Sequence, residues 1–544
     1  MVRVWAPRGL SFNGGAPAVA AAAGAASRAA LGGPLRPPAV SVGALFTRAP
    51  ARPRGGGRRA AVPSGRDRRL QPAVIDGDPV PGGTSTPPTR AAGLTTGRVL
   101  AWAAWDWGSA AFNAVVTTFV FTVWLTSKAF VEPGADVTAT TALHSQWLGW
   151  GLTVAGILVA LLAPALGALS DASGRRKVWL GANTAVTVAA MAAMVLVHPH
   201  DGARSRAVLL GVVLLAVGNV FFELASVAYN ALLLQITTPA TVGRVSGIGW
   251  GSGYVGGIVL LIVLFVGFIN PDVGWFGVTS ADGWNIRAAV AVSAVWMAVF
   301  AVPVLVAVPE HARPDPRAIG ALGAYRKLGH DVAHLWRTRR STLGYLVASA
   351  VYRDGLAGVF TFGAVLASDT FGFTSSQVIV FAIAANVVAG ISTIGAGWLD
   401  DRFGPRRVIT VSLVVLVLAA VAVFALHDQG QTAFWVAGLV LSSCVGPTQS
   451  ASRGLLARLT DAGREAEAFG LYATTGRAAS FLAPMAFSLA IGWGGAQYWG
   501  ILGIVVVLAL GLGLLLLVRF PRGRGVDGRH DVAVVDVPTV DERA

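Results

Sequence analysis

Glu223 stands well inside an apolar run, and its neighbours are spaced for work. Asn219, Glu223, Ser226 and Asn230 follow one another at intervals of four, three and four, which on a helix is a single polar face. A carboxylate held away from water can take up and release a proton, so this face could couple solute movement to a proton gradient. The competing reading is a buried ion pair with a basic partner. Asp106 lies about two turns into another apolar run, with Ser109, Asn113 and Thr117 expected on its side of the helix. It reads either as a cavity carboxylate open to substrate or proton, or as a helix-end Asp paired with a neighbouring helix. In a third run, Tyr352-Arg353-Asp354 sets opposite charges side by side. Consecutive helix residues point in different directions, so these two need not pair with each other. Arg353 and Arg477 carry planar forks that suit a carboxylate, and Tyr472 stands one turn before Arg477. Both arginines could equally balance Asp106, Glu223 and Asp354. The proton-coupling candidates are therefore Glu223, Asp106 and Asp354, and the substrate-binding candidates are Asn113, Asn219, Asn230, Arg353, Tyr472 and Arg477.

The runs that carry these residues define the fold class. Of the 544 residues 54% are hydrophobic and only 13% charged, and mean hydropathy is +0.64; soluble chains carry about 25% charge. The apolar residues fall in blocks of about 20, the length of helix that crosses a hydrocarbon core of about 30 Å. A backbone in lipid must satisfy its own hydrogen bonds, and the runs do not alternate as barrel strands would. Twelve spans are predicted, near residues 99–125, 147–169, 178–197, 207–234, 245–269, 287–308, 343–367, 376–399, 407–427, 432–455, 466–491 and 496–518. The expectation is an all-α integral membrane protein. Its parts are a disordered basic segment over 1–97, six-helix halves over 98–308 and 343–519, a loop over 309–342 between them, and a tail over 520–544.

Basic residues set the orientation. Arg175, Arg176 and Lys177 follow span 2, seven Arg or Lys fall in the 309–342 loop, and Arg402, Arg406 and Arg407 follow span 8. The opposite loops hold only Lys128, Arg204, Arg206 and Arg287. Both termini and the central loop are expected on the cytoplasmic side of the cell membrane. The halves also repeat. Gly167, Asp171, Gly174 and Arg175 after span 2 match Gly397, Asp401, Arg402 and Gly404 after span 8, in the frame G-x-x-x-D-x-x-G with basic residues. Leu232-Leu233, Thr237, Gly247 and Gly253 recur as Leu455-Leu456, Thr460, Gly470 and Gly476 at a constant offset of 223. Parallel repeats of six spans are a transporter layout. The first motif pair reads as a gate that stabilises one conformation.

Several classes of function find no support. Residues 1–98 hold 14 Arg and three Asp, most of the net charge of +15, but lack the aromatic or motif support of a nucleic-acid surface. This segment resembles a transit peptide in composition, or reflects a start placed too early. The single cysteine, Cys444, excludes an intrachain disulfide and offers no metal motif. There is no P-loop, H-E-x-x-H or G-x-S-x-G, so neither an enzyme nor a cofactor is expected. The glycines of span 5 include Gly253-x-x-x-Gly257, a helix-contact motif. Gly446-Pro447 predicts a kink in span 10, and Asn386 an interhelical hydrogen bond.

Five stretches together resemble the vacuole-effluxer branch of the major facilitator superfamily. They are Trp105-Asp106-Trp107-Gly108-Ser109, Tyr229-Asn230-Ala231-Leu232-Leu233, Ser246-Gly247-x-Gly249 with Gly253-Tyr254-x-Gly256-Gly257, Tyr352-Arg353-Asp354-Gly355, and Gly470-Leu471-Tyr472-Ala473-Thr474-Thr475-Gly476-Arg477. The resemblance covers residues 98–519. Two departures from it stand out: Ser109 and Ala110 replace the family's Asn and Ser, and Ala172 replaces a basic residue, which shifts the gate toward Arg402. It implies alternating-access export of small polar solutes such as amino acids. The expected partners are that solute, protons and the lipid bilayer, for a monomer. Multidrug or sugar efflux, and a receptor or scaffold that moves no solute, are the alternatives.

Overall fold

The computed structural model describes residues 96–237, 242–310, 320–460 and 465–520. Expectations for residues 1–95 and 521–544, and for the side chains of Asp171 and Asp401 and the surroundings of Gly397, fall outside the description. Nine helices among the described residues are long and apolar enough to cross a membrane unaided. They are span 1 (Thr96–Leu125), span 2 (Val137–Ser173), span 4 (Arg204–Ile236), span 5 (Val242–Leu264, continued by Phe265–Ile269), span 6 (Trp284–Ala307), span 7 (Arg340–Asp369), span 8 (Ser375–Phe403), span 9 (Pro405–Ala425) and span 12 (Gly500–Leu517). Three more complete the twelve: span 3 (Arg176–Met194), span 10 (Gln431–Leu459) and span 11, broken into Glu465–Ala479 and Leu482–Gly494.

Packing repeats with a period of six spans. Span 3 packs on spans 4 and 6 as span 9 packs on spans 10 and 12; span 2 packs on span 4 as span 8 packs on span 10; span 1 packs on spans 5 and 6 as span 7 packs on spans 11 and 12. The halves meet through span 2 against span 11 and span 5 against span 8. Small residues permit these approaches, since lipid gives helices no hydrophobic reason to associate and close packing must supply the attraction. Gly253 and Gly257 face Asp106 and Ala110 of span 1 as the contact motif predicts, and a Cβ on Gly256 would fall 2.6 Å from the Trp107 carbonyl.

Five features differ from the sequence expectation. Span 1 changes to π-helix over Ala111–Phe119 and bends at Val120 (φ −121°, ψ −66°). Span 11 breaks between Ala479 and Leu482, ahead of Pro484, whose missing N–H and fixed φ suit the first turn of a helix. Gly446-Pro447 leaves span 10 helical, and Gly446 instead lets it close on Thr393 and Ala389 of span 8. The 309–342 segment is not all loop: Ala321–Thr338 is helical. Finally, Asn386 bonds its own helix, donating to the Ala382 carbonyl at 2.8 Å.

Candidate functional site

Successive residues of a helix point about 100° apart, so four in a row can reach four neighbours. Span 1 uses this at Trp105-Asp106-Trp107-Gly108. Trp105 donates from its indole to Thr184 Oγ1 of span 3 at 3.2 Å and stacks on Tyr229 of span 4 at 4.4 Å. Asp106 accepts the Tyr229 hydroxyl at 2.8 Å and lies against Gly249 of span 5, where a Cβ would fall 2.6 Å from Asp106 Oδ2. Trp107 stacks on Trp296 of span 6, and Gly108 admits Phe300 of the same span. Tyr229 is clamped from its other side by Trp102, with ring centroids 4.4 Å apart and planes 5° from parallel; such pairs contribute roughly 0.5–1.5 kcal/mol beyond their burial.

Tyr352-Arg353-Asp354-Gly355 plays the same part in span 7. The Tyr352 and Ser452 hydroxyls of spans 7 and 10 are 2.6 Å apart. The Arg353 guanidinium lies 3.9 Å over the Tyr472 ring of span 11 and donates to the Tyr472 carbonyl at 3.0 Å. Asp354 Oδ2 accepts the Ala483 N–H at 2.6 Å, and Gly355 admits Leu508 of span 12. The offset of 223 maps Tyr229 onto Ser452, Gly249 onto Tyr472 and Gly253 onto Gly476. These are the contacts of Trp105 and Asp106 in one half and of Tyr352 and Arg353 in the other. Asp106 and Arg353 thus hold equivalent places with opposite charge. Each is only partly buried.

The break in span 11 explains Asp354. Restarting a helix leaves N–H groups with no partner inside it, and the carboxylate of span 7 accepts the one from Ala483. Asp354 is itself buried, 6% exposed.

Glu223 and Arg477 join the two halves. Arg477 Nε donates to Glu223 Oε2 at 3.3 Å and its Nη2 to Ser226 Oγ at 3.0 Å. Their side chains are 34% and 19% exposed, so the pair is not sealed inside the protein. Asn219 is half-buried, and exposed Asn230 turns back to donate to the Ser226 carbonyl at 2.8 Å. In span 1 the expected polar face does not hold: Asn113 is exposed while Thr117 is buried and Ser109 bonds the Asp106 carbonyl, in a span that turns to π-helix over Ala111–Phe119. Tyr472 is buried under Arg353 and offers its ring and carbonyl.

At the end of the bundle away from the turns after spans 2 and 8, the halves are closed. Gln497 is buried and donates to Ser145 Oγ of span 2 at 2.7 Å and to Asp369 Oδ2 of span 7 at 2.9 Å, and accepts from Thr370 Oγ1 at 3.2 Å. Ser488 Oγ donates to the Gln146 carbonyl at 3.1 Å. Composition hides this cluster, because Ser, Gln and Thr near helix ends are unremarkable singly.

The repeated turns after spans 2 and 8 show why their second glycines are needed. Gly174 and Gly404 are buried with φ of +63° and +82°, a conformation costly for other residues, and each turns the chain into the next span. Gly167 lies in the last turns of span 2 at ordinary contact with Val227 of span 4. Arg175 and Arg402 are exposed. Sequence reasoning passed over Asp400, which pairs with Arg458 of span 10 at 3.4 Å, and Glu310, which accepts the Lys177 N–H at 2.8 Å and ties span 3 to the end of span 6.

Comparison with known proteins agrees with this architecture. Residues 235–526 match the family described as vacuole effluxer Atg22 like. The uncharacterized MFS-type transporter YxiO of Bacillus subtilis is 25% identical over 419 residues, 77% of this chain and 94% of the relative. Autophagy-related protein 22 of Cryptococcus neoformans is 25% identical over 304 residues, 52% of this chain and 54% of the relative, so the chain spans about half the length of that fungal protein. Among solved structures, a D-xylose-proton symporter aligns with a TM-score of 0.56 at 15% identity, over 76% of this chain and 95% of its own. The nucleoside transporter NupG aligns at 0.54 and 12%, over 77% and 98%. These two share the fold. The chain is a multi-pass secondary transporter of the major facilitator fold and belongs to the Atg22-like vacuole effluxer family.

Proposed function

We propose that the chain exports small zwitterionic solutes, amino acids first among them, by proton-coupled alternating access. The observation that carries this reading is the pair of equivalent positions holding Asp106 and Arg353. A carboxylate on one half suits an ammonium group and a guanidinium on the other suits a carboxylate, so a solute bearing both would draw the halves together. Glu223 and Arg477 supply the exchange. While Glu223 is ionised it holds Arg477 at 3.3 Å; protonation of Glu223, or a solute carboxylate taking its place, frees one half from the other. The rocking of two halves about a central site then follows from the repeat. Asn113, Asn219 and Asn230 are the hydrogen-bonding groups proposed for the rest of the solute. Basic residues after spans 2 and 8 favour a cytoplasmic side for those turns and for both termini, which makes the closed end extracellular. The Gly174 and Gly404 turns, with Asp171, Asp401, Arg175 and Arg402, are the proposed gate on the cytoplasmic side.

The test is solute flux in proteoliposomes with an imposed pH gradient, alongside solute-induced thermal stabilisation across amino acids, sugars and cationic drugs. Glu223→Gln is expected to bind solute while losing the response to the gradient, and Arg477→Gln to lose binding. Unchanged pH dependence in Glu223→Gln removes Glu223 from coupling. Stabilisation by sugars or cationic drugs but by no amino acid replaces the solute class.

A further inference from the structure

The helix Ala321–Thr338 lies between the halves and outside the twelve spans. At about 100° per residue, Leu322, Tyr325, Leu328, Val332, Leu335 and Trp336 fall within an arc of about 140°. Arg326, Lys327, His330, Asp331, His334 and Arg337 occupy the opposite side. Such division is the mark of a helix at a boundary between two media. The protein covers only part of the apolar side: Leu322 is 65% and Trp336 59% exposed, with Tyr325 and Val332 also open, while Leu335 packs on the core.

Two anchors fix the depth of this helix. The Tyr325 hydroxyl donates to the Leu161 carbonyl of span 2. Leu161 lies twelve residues before the end of that helix at Ser173, about 18 Å at the helical rise. Tyr325 therefore sits at the level of the spans and not above them. At the other end, span 7 begins at Arg340, whose guanidinium lies 5.3 Å over the Trp336 ring. An Arg over a Trp at the mouth of a span is the pairing expected where headgroups meet acyl chains. Charge points the same way, since residues 321–340 hold five Arg or Lys against the single acid Asp331.

We propose that helix Ala321–Thr338 lies in the plane of the bilayer surface, with its apolar face among the acyl chains and its basic side on anionic lipid headgroups. An in-plane amphipathic helix binds through buried apolar area together with attraction of its basic residues to anionic lipid. Because the helix touches span 2 of one half and leads into span 7 of the other, lipid holding it also bears on how the halves move. The occupant is a membrane surface, not a soluble protein.

The full chain offers a clean experiment, because Cys444 is its one cysteine. In a Cys444→Ser background, a bimane label is placed at Val332→Cys on the apolar side or at His334→Cys on the polar side, in vesicles of phosphatidylcholine and phosphatidylglycerol. The label at 332 is expected to lose most of its emission to shallow doxyl lipid and little to aqueous iodide; the label at 334 should do the reverse. At equal mole fraction, doxyl-phosphatidylglycerol should quench the 332 label roughly twofold or more better than doxyl-phosphatidylcholine. The triple substitution Arg326→Gln, Lys327→Gln, Arg337→Gln should bring that ratio to one. A 332 label open to iodide overturns the proposal by placing the helix in water. A 332 label closed to both quenchers overturns it by lodging the helix between the halves. A ratio of one in the unsubstituted chain removes the anionic headgroup.

Discussion

Replacing Asp354 separates two roles that a buried acid in a transporter can have. Its carboxylate accepts the Ala483 N–H at 2.6 Å where span 11 restarts. Asp354→Ala removes that acceptor. The loss of a helix cap costs about 1 kcal/mol and up to about 2, and an orphaned N–H buried from water costs about 1–3 kcal/mol. Both terms describe one bond, so they overlap, and the expected loss is about 2–3 kcal/mol. Asp354→Asn keeps a carbonyl oxygen at the same reach but gives up the charge, and the expected loss is about 1 kcal/mol or less. Stability would be read by reversible titration with SDS in mixed micelles, and function by pH-dependent flux in vesicles. The expected result is a stability order of wild type, Asn, Ala, with pH dependence kept in Asn. Equal losses for Asn and Ala would refute the capping argument. An Asn variant that folds fully but no longer responds to pH would return Asp354 to the coupling residues.

Two further perturbations read other parts of the geometry. Gly249→Ala places a Cβ 2.6 Å from both Asp106 Oδ2 and the Trp102 ring, so an overpacking loss of about 1–3 kcal/mol is expected, whereas Gly251, with nothing within 4 Å of its Cβ position, should accept Ala without loss in the same titration. Gln497→Ala deletes hydrogen bonds to Ser145, Asp369 and Thr370, each of net value about 0.5–1.5 kcal/mol; spin labels at Thr138→Cys and Trp493→Cys, without Cys444, should then show a new population at longer distance, and an unchanged distance distribution would mean these bonds do not hold that end shut.

The twelve spans and their repeat were legible because lipid imposes one rule on every helix: about 20 apolar residues with internally satisfied backbone. The offset of 223 was legible for a related reason, since glycines that admit a neighbouring helix recur where the packing recurs. What the sequence hid is what depends on a second helix. For Glu223 the spacing left a proton site and an ion pair both open and named no single partner, and the partner, Arg477, stands 254 residues away. Asp354 looked like a cavity group beside Arg353, yet its partner is a backbone N–H exposed by the break just ahead of Pro484. The polar stripe of span 1 was read from spacing alone, yet burial depends on the neighbours of each residue, and Asn113 is exposed where Thr117 is buried. The helix over 321–338 was missed for the opposite reason. Its charges keep it below the hydropathy of a span, although its two-sided pattern is plain at helical spacing. Trp105-Asp106-Trp107-Gly108 and Tyr352-Arg353-Asp354-Gly355 drew attention as charges in an apolar field. The structure shows that most of each motif is a junction where one helix meets its neighbours. Within each junction one side chain, Asp106 or Arg353, remains partly open, and those two are where chemistry rather than packing has room to act.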